Sequence, residues 1–165
     1  IVAERYPHVM FALQGHLDEA LVNCLPKARR VTLPWLPLDE YPRALINFDI
    51  GCCPVAPVSF NFAKSCIKWY EMTLAGAACV VSPTLYGREV VDGHDALLAE
   101  TAEQWVEKLS ILVENAELRS TLNRNARRAV VEHHSLENNW SKWPQAWAEA
   151  VDRFRSRPRL ELASR

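Results

Sequence analysis

FNFAKSCIKWYEMTLAGAACVVSPTLYGREVVDG, residues 60–93, decides the fold class. Asn61 has the side chain of an N-cap, nothing from there to Ala75 breaks a helix, and Gly76 suits a left-handed stop. Ala63, Ile67, Tyr70 and Leu74 recur at three- and four-residue steps and predict the buried stripe, while Lys64, Lys68 and Glu71 recur at the same steps on another face. Ala78–Ser82 (ACVVS) reads as a short buried strand, and the Pro83–Gly87 turn places Arg88, Glu89 and Asp92 just beyond its carboxyl end. Helix followed by buried strand is the unit of a parallel α/β sheet, and such sheets bind ligands beyond the carboxyl ends of their strands.

Two lysines near a helix start oppose the partial positive charge there, at a cost of ~0.3–1 kcal/mol each when exposed, unless an anion lies between them and the free backbone N–H groups. The pattern is therefore a candidate anion cradle. A plainer alternative is a solvated helix face on which Glu71 pairs with Lys68 three residues away.

Outward from this stretch, strands are expected near 9–13, 30–33, 48–53, 78–82 and 96–99, alternating with helical segments. Together they predict an open, mostly parallel Rossmann-like sheet flanked by helices and joined by right-handed crossovers. Short helices are expected over Leu17–Leu25 and Leu38–Ala44, the latter starting near Asp39. Asp49 falls in the third strand and reads as a structural residue. Thr101 and Gln104 have capping-box spacing ahead of an amphipathic helix marked by Trp105, Val106, Leu109, Leu112 and Val113. A second helix from Asn115 turns Leu118, Leu122, Ala126, Ala129 and Val130 inward. Leu136, Trp140, Trp143, Trp147, Val151 and Phe154 continue at helical spacing, with Pro144 starting a new helix or kinking this one. Trp140 is expected to pack on the domain's own sheet.

The chain has 165 residues, 49% hydrophobic and 24% charged, with a formal net charge of −1. That size suits one domain, assigned to residues 1–155, with 156–165 a basic, disordered tail. Near-neutral charge gives no global attraction to nucleic acid or anionic membrane. Five cysteines without CxxC spacing read as reduced thiols of a cytoplasmic protein, not a disulfide frame or zinc site. No apolar run reaches the ~18–20 residues of a membrane span. The N-terminus lacks signal-peptide character, and the abrupt start reads as a piece of a larger protein. His94 and the His133–His134 pair lack partners at metal-ligand spacing, no GxSxG is present, and five glycines leave little room for a phosphate-cradling loop.

FDIGCCPV at 48–55, KSCIKWYEMTLAGAACVVS at 64–82, GREVVDG at 87–93, ALLAETAEQW at 96–105 and ELRSTLNRNARRAVVEHHSLENNW at 117–140 occur in an order and spacing that goes beyond any single motif. Over Tyr6–Trp140 the chain resembles the nucleotide-sugar-binding C-terminal domain of retaining GT-B glycosyltransferases, the group 1, family 4, glycogen-synthase/mannosyltransferase-like family. The resemblance implies a hexosyltransferase using a nucleoside diphosphate sugar, with no metal or other cofactor. It implies Lys64 and Lys68 on the diphosphate, Glu71 on the ribose, Lys68 and Glu71 as the catalytic pair, and Glu89 as a further donor contact. It places the Pro34–Pro37 loop near the base, which makes Trp35 a candidate stacking wall. Eight places before Glu71 the family commonly carries a second glutamate, where this chain has Ala63. A subset instead shows the KSxxKxxE pattern of Lys64, Ser65, Lys68 and Glu71.

The resemblance further implies a first strand and a basic pair upstream of Ile1, an N-terminal acceptor domain as partner through which any peripheral membrane contact would come, and a chain end that crosses back to that domain, which makes part of the Leu136–Phe154 stripe an interdomain face. It implies that the chain alone is inactive. The competing expectation, which Ala63 permits, is a Rossmann-like domain that has lost catalysis and serves as a docking module.

Overall fold

The computed structural model describes residues 1–15 and 18–156. In chain order these form α1 (Val2–Arg5), β1 (Phe11–Gln14), α2 (Glu19–Asn23), β2 (Arg30–Leu33), α3 (Tyr41–Leu45), β3 (Ile50–Cys53), a 3₁₀ turn at Ser59–Ala63, α4 (Ile67–Ala75), β4 (Ala78–Val81), α5 (Pro83–Tyr86), β5 (Leu97–Leu98), α6 (Ala102–Glu114), α7 (Ala116–His134), α8 (Leu136–Asn139) and α9 (Lys142–Arg155). The compact parts of the chain are Ile1–Arg128 and Ala129–Arg165, and the division falls within α7.

In the first unit every strand pair is parallel. β1 pairs with β2, and β3, β4 and β5 form a ladder with β4 in the centre. The expected five strands are all present, β2 with its predicted bounds and the other four shorter by one or two residues. Their hydrogen bonds make two ladders among the described residues, where the sequence predicts one continuous sheet. Parallel neighbours need crossovers, and α2, α4 and α5 supply them.

β4 is buried at all four positions because it is covered on both faces. On one side Ala78 and Val80 join Leu97, Ala99, Leu112 and Leu122, with Trp105, Leu109 and Leu118 packed around them. On the other, α4 lies against the sheet at Gly51. A Cβ there would meet Cys79 Sγ at 3.0 Å and Met72 Cβ at 3.2 Å, so the glycine is what lets the helix approach. Gly76, at φ 106°, ends α4 as expected: its N–H reaches Thr73 O, and the Ala77 N–H reaches Met72 O at 3.0 Å. Asn123 on α7 donates to both Thr73 O and Ala77 O at 2.9 Å and ties that end down.

α4 departs from its predicted form at the other end. It begins at Ile67, not Asn61. Asn61 is buried and spends its amide on Ala56 O at 2.8 Å, bonding within the turn that precedes the helix. The buried stripe is Cys66, Trp69 and Thr73. Ala63 and Leu74 are exposed, as is Ile67 at 51%, while Trp69 is 1% exposed. The largest apolar side chain gains most from burial and sets the face the helix turns inward. α3 and β3 likewise begin later than expected, at Tyr41 and Ile50. Asp49 precedes the strand, and its backbone carbonyl accepts from the Ala78 N–H.

The capping box at Thr101 and Gln104 forms in full. Asp18 caps α2, whose expected start at Leu17 lies outside the described residues. In the second unit Ser135 caps α8, and α9 begins two residues before Pro144 as a new helix. Trp140 is expected to be packed, and the structure leaves it otherwise. It is exposed, and so are Leu136, Trp143, Trp147, Val151 and Phe154, because none of these helical segments buries a residue. Residues 157–165 of the expected tail lie outside the described residues.

Candidate functional site

β3 and β4 run parallel and end toward one edge of their ladder. Trp35 follows β2, residues 54–66 lead from β3 into the start of α4, and Ser82–Glu89 follow β4. The Ser82 hydroxyl accepts from the Val55 N–H at 2.9 Å and binds two of these segments together.

At the start of α4 no side chain caps the helix. Cys66 occupies the N-cap position, and the first intrahelical donor is Trp69, so the Ile67 and Lys68 N–H groups have no helical acceptor. Lys68 lies in this first turn. Its ammonium contacts Glu71 Oε2 at 3.0 Å and donates to the Tyr41 hydroxyl at 2.9 Å. That hydroxyl donates in turn to Glu71 Oε2 at 3.2 Å, and the ammonium lies 4.8 Å from the Tyr41 ring centroid. Partial burial works to lower the Lys68 pKa, but the hydrogen bonds to Tyr41 and Glu71 outweigh it and hold the group above its ordinary value. An ammonium has three donors, and Tyr41 and Glu71 take two of them. Glu71 uses only Oε2 in these contacts, which leaves Oε1 for another donor.

The remaining predicted residues are placed differently. Lys64 precedes the helix, with its ammonium 5.1 Å from the Phe60 ring, so the three charges do not share one helical face. Glu89, half-buried, receives a hydrogen bond from Tyr70 and an Arg88 contact at 3.7 Å. Burial and the Glu89 hydrogen bond push the Tyr70 phenol up. Arg88 donates to the backbone carbonyls of Phe62 and Lys64 and straps the 3₁₀ turn to the β4 side. Asp92 accepts from the Leu98 N–H at 2.8 Å, a loop-closing role. Trp35 is 79% exposed and does not pack on its own domain.

Sequence reasoning brings Lys68 and Glu71 together and misses Tyr41. No local signal could have found it, because it reaches the pair from a helix about 30 residues upstream.

A family model described as glycosyl transferase-like matches residues 2–145. The chain belongs to that family. This glycosyl transferase-like chain is also similar in fold to three solved structures. The C-terminal domain of a glycosyl transferase group 1 family protein, LpcC from Francisella tularensis, superposes with a TM-score of 0.66 at 16% identity, over 82% of this chain and 74% of that one. Sucrose-phosphate synthase from Thermosynechococcus elongatus gives 0.73 at 17% identity, over 92% of this chain and 41% of that one. Anabaena HepE, solved with UDP-glucose, gives 0.66 at 11% identity, over 90% and 52%. The glycosyl transferase-like chain thus spans about half or less of the length of the two latter proteins. Among curated proteins none matches it.

Proposed function

We propose that this chain is the donor-binding half of a GT-B glycosyltransferase that moves a hexose from a nucleoside diphosphate sugar to an acceptor. The observation that carries the reading is the Lys68–Tyr41–Glu71 group beside an uncapped helix N-terminus at the carboxyl edge of a parallel sheet. The diphosphate takes the third Lys68 donor and the Ile67 and Lys68 N–H groups, where the helix dipole favours negative charge. Lys64 adds a second cation from the loop before the helix. Glu71 accepts from ribose hydroxyls through Oε1, and Trp35 offers an exposed ring to the base. Glu89 acts at one remove, by holding Tyr70. As the sugar–phosphate bond breaks, charge grows on the diphosphate, and a preorganised ammonium there stabilises the transition state more than the ground state.

UDP-glucose in HepE supports this donor class. Retention of anomeric configuration, a cytoplasmic location and an N-terminal acceptor domain belong to the same reading, carried by the family resemblance. The second reading, a docking module without catalysis, draws on Ala63 and on the exposed face of α9.

Turnover by the full-length protein decides between them. UDP or another nucleoside diphosphate should be released on incubation with donor and acceptor, and Lys68→Ala should lower kcat and kcat/KM together. Glu71→Ala, which removes binding common to both states, should mainly raise the donor KM. Activity within about twofold of wild type in both variants would return the pair to a solvated ion pair.

A further inference from the structure

Arg88 follows β4 and α5, at the end of the sheet where an arginine would first be read as a phosphate ligand. Its guanidinium is already spent on main chain. Nη1 donates to Phe62 O at 3.2 Å, Nη2 donates to Lys64 O, and Nε faces Glu89 Oε1 at 3.7 Å. The two carbonyls stand at the C-terminal end of the 3₁₀ turn, where carbonyls lack helical donors and a cation serves as a cap. Glu89 accepts in turn from the Tyr70 hydroxyl, and Tyr70 lies on α4 together with Lys68. One side chain therefore joins the loop that carries Lys64 to the helix that carries Lys68.

Lys64 is held everywhere but at its charge. Its N–H donates to Asn61 O at 3.3 Å, its carbonyl accepts from Arg88, and its ammonium rests 5.1 Å from the centre of the Phe60 ring. Lys68 has a carboxylate partner in Glu71, whereas Lys64 forms no ion pair among the described residues. A long side chain loses much rotamer freedom when an anion fixes it, and a backbone already fixed leaves less to lose on binding.

We propose that Arg88 is a positioning residue for the diphosphate that acts through Lys64: it sets the backbone of Lys64 in place relative to Lys68 and does not itself touch the donor. This rests on Lys64 and Lys68 being the cations of the donor site. To reach a phosphate, the guanidinium would have to release a carbonyl and the loop with it. Whatever Arg88 adds to donor binding therefore belongs to Lys64 and disappears when the Lys64 ammonium is removed.

Titration calorimetry of the full-length protein with UDP tests this in a double-mutant cycle over Arg88→Ala and Lys64→Ala. Each single variant should raise the Kd roughly fivefold, and the double variant should lie within about twofold of Lys64→Ala alone. Loss of fold does not imitate that result, because unfolded protein lowers the stoichiometry of the titration and leaves the Kd of the folded remainder unchanged. Arg88→Lys keeps the charge and loses the planar fork, so it should bind UDP as weakly as Arg88→Ala. A double variant weaker than Lys64→Ala by the full Arg88→Ala factor would make Arg88 an independent phosphate contact and overturn the proposal. So would wild-type affinity in Arg88→Ala or in Arg88→Lys. If Lys68→Ala weakens UDP binding while Lys64→Ala does not, the donor site stands and the positioning role falls. If neither lysine variant changes the Kd, the donor site itself is misassigned and the positioning role falls with it.

Discussion

Tyr41 is the residue through which the candidate site is most open to test, because its two parts do separable things. The hydroxyl accepts from Lys68 and donates to Glu71, and the ring forms a wall near the ammonium. Tyr41→Phe keeps the wall and removes the bridge, and should cost on the order of 0.5–1.5 kcal/mol in kcat/KM, roughly two- to tenfold. Tyr41→Ala should cost more in donor KM. Steady-state kinetics with the donor varied measures both, and equal effects of Phe and Ala would mean that only the hydroxyl matters. The raised Lys68 pKa gives a second expectation. A lysine held above its ordinary 10.5 stays charged throughout the neutral range, so what its ion pair adds to stability is fully present below that value and is lost only as pH rises through the folded-state pKa. Donor affinity should therefore be flat between pH 7 and about 9.5, and calorimetry showing a Lys68-dependent transition near neutrality would contradict the geometry.

α4 shows which parts of an element a sequence reveals. Its end was legible, because Gly76 acts through its own backbone freedom and needs no tertiary partner, and the Thr101–Gln104 box was legible for the same reason. Its start was not. Asn61 has a cap's chemistry but uses it on Ala56 O, and the helix opens at Cys66, which offers no cap at all. The buried face was misread for a related reason: four aliphatic and aromatic positions fit the period, yet Trp69 outweighs them in area. A place on the predicted buried stripe would make Ile67→Ala strongly destabilising, and the observed face changes that. Ile67 is half exposed, and its truncation should lie within about 0.5 kcal/mol of wild type, whereas Trp69→Ala should cost on the order of 3–5 kcal/mol. Trp69→Phe should cost far less than that, because the Trp69 Nε1–H is buried without an acceptor among the described residues and its removal relieves a desolvated donor. Urea denaturation of the three variants orders them, and an Ile67→Ala loss comparable to that of Trp69→Ala would restore the original stripe.

At the scale of the molecule, parallel architecture and the position of Arg88 and Glu89 beyond the carboxyl end of β4 were legible from alternation, since a strand, a helix and a buried strand in succession leave few arrangements. What lay out of reach was how the strands divide between two ladders and which side chains close on Lys68 from elsewhere. The same scale sets the affinity of the chain by itself. Its contribution to a nucleoside diphosphate is one ammonium donor from Lys68, the second cation Lys64, two backbone N–H groups and the Glu71 carboxylate. At on the order of 1.5–3 kcal/mol per charge-assisted hydrogen bond, these five groups give roughly 7.5–15 kcal/mol. Association itself costs an estimated ~4–15 kcal/mol, and ordering long side chains such as Lys64 costs ~0.5–1.5 kcal/mol more. The surplus is small, and titration calorimetry of the chain with UDP should give a Kd no tighter than about 100 μM, that is, a binding free energy weaker than about −5.5 kcal/mol. The chain spans only 52% of HepE and 41% of sucrose-phosphate synthase, so on the proposed reading a full-length protein adds basic groups and a facing domain to the same pocket. Its affinity should then be tighter by tenfold or more. A submicromolar Kd for the chain alone would mean that the group around α4 suffices, and that the rest of the protein serves the acceptor rather than the donor.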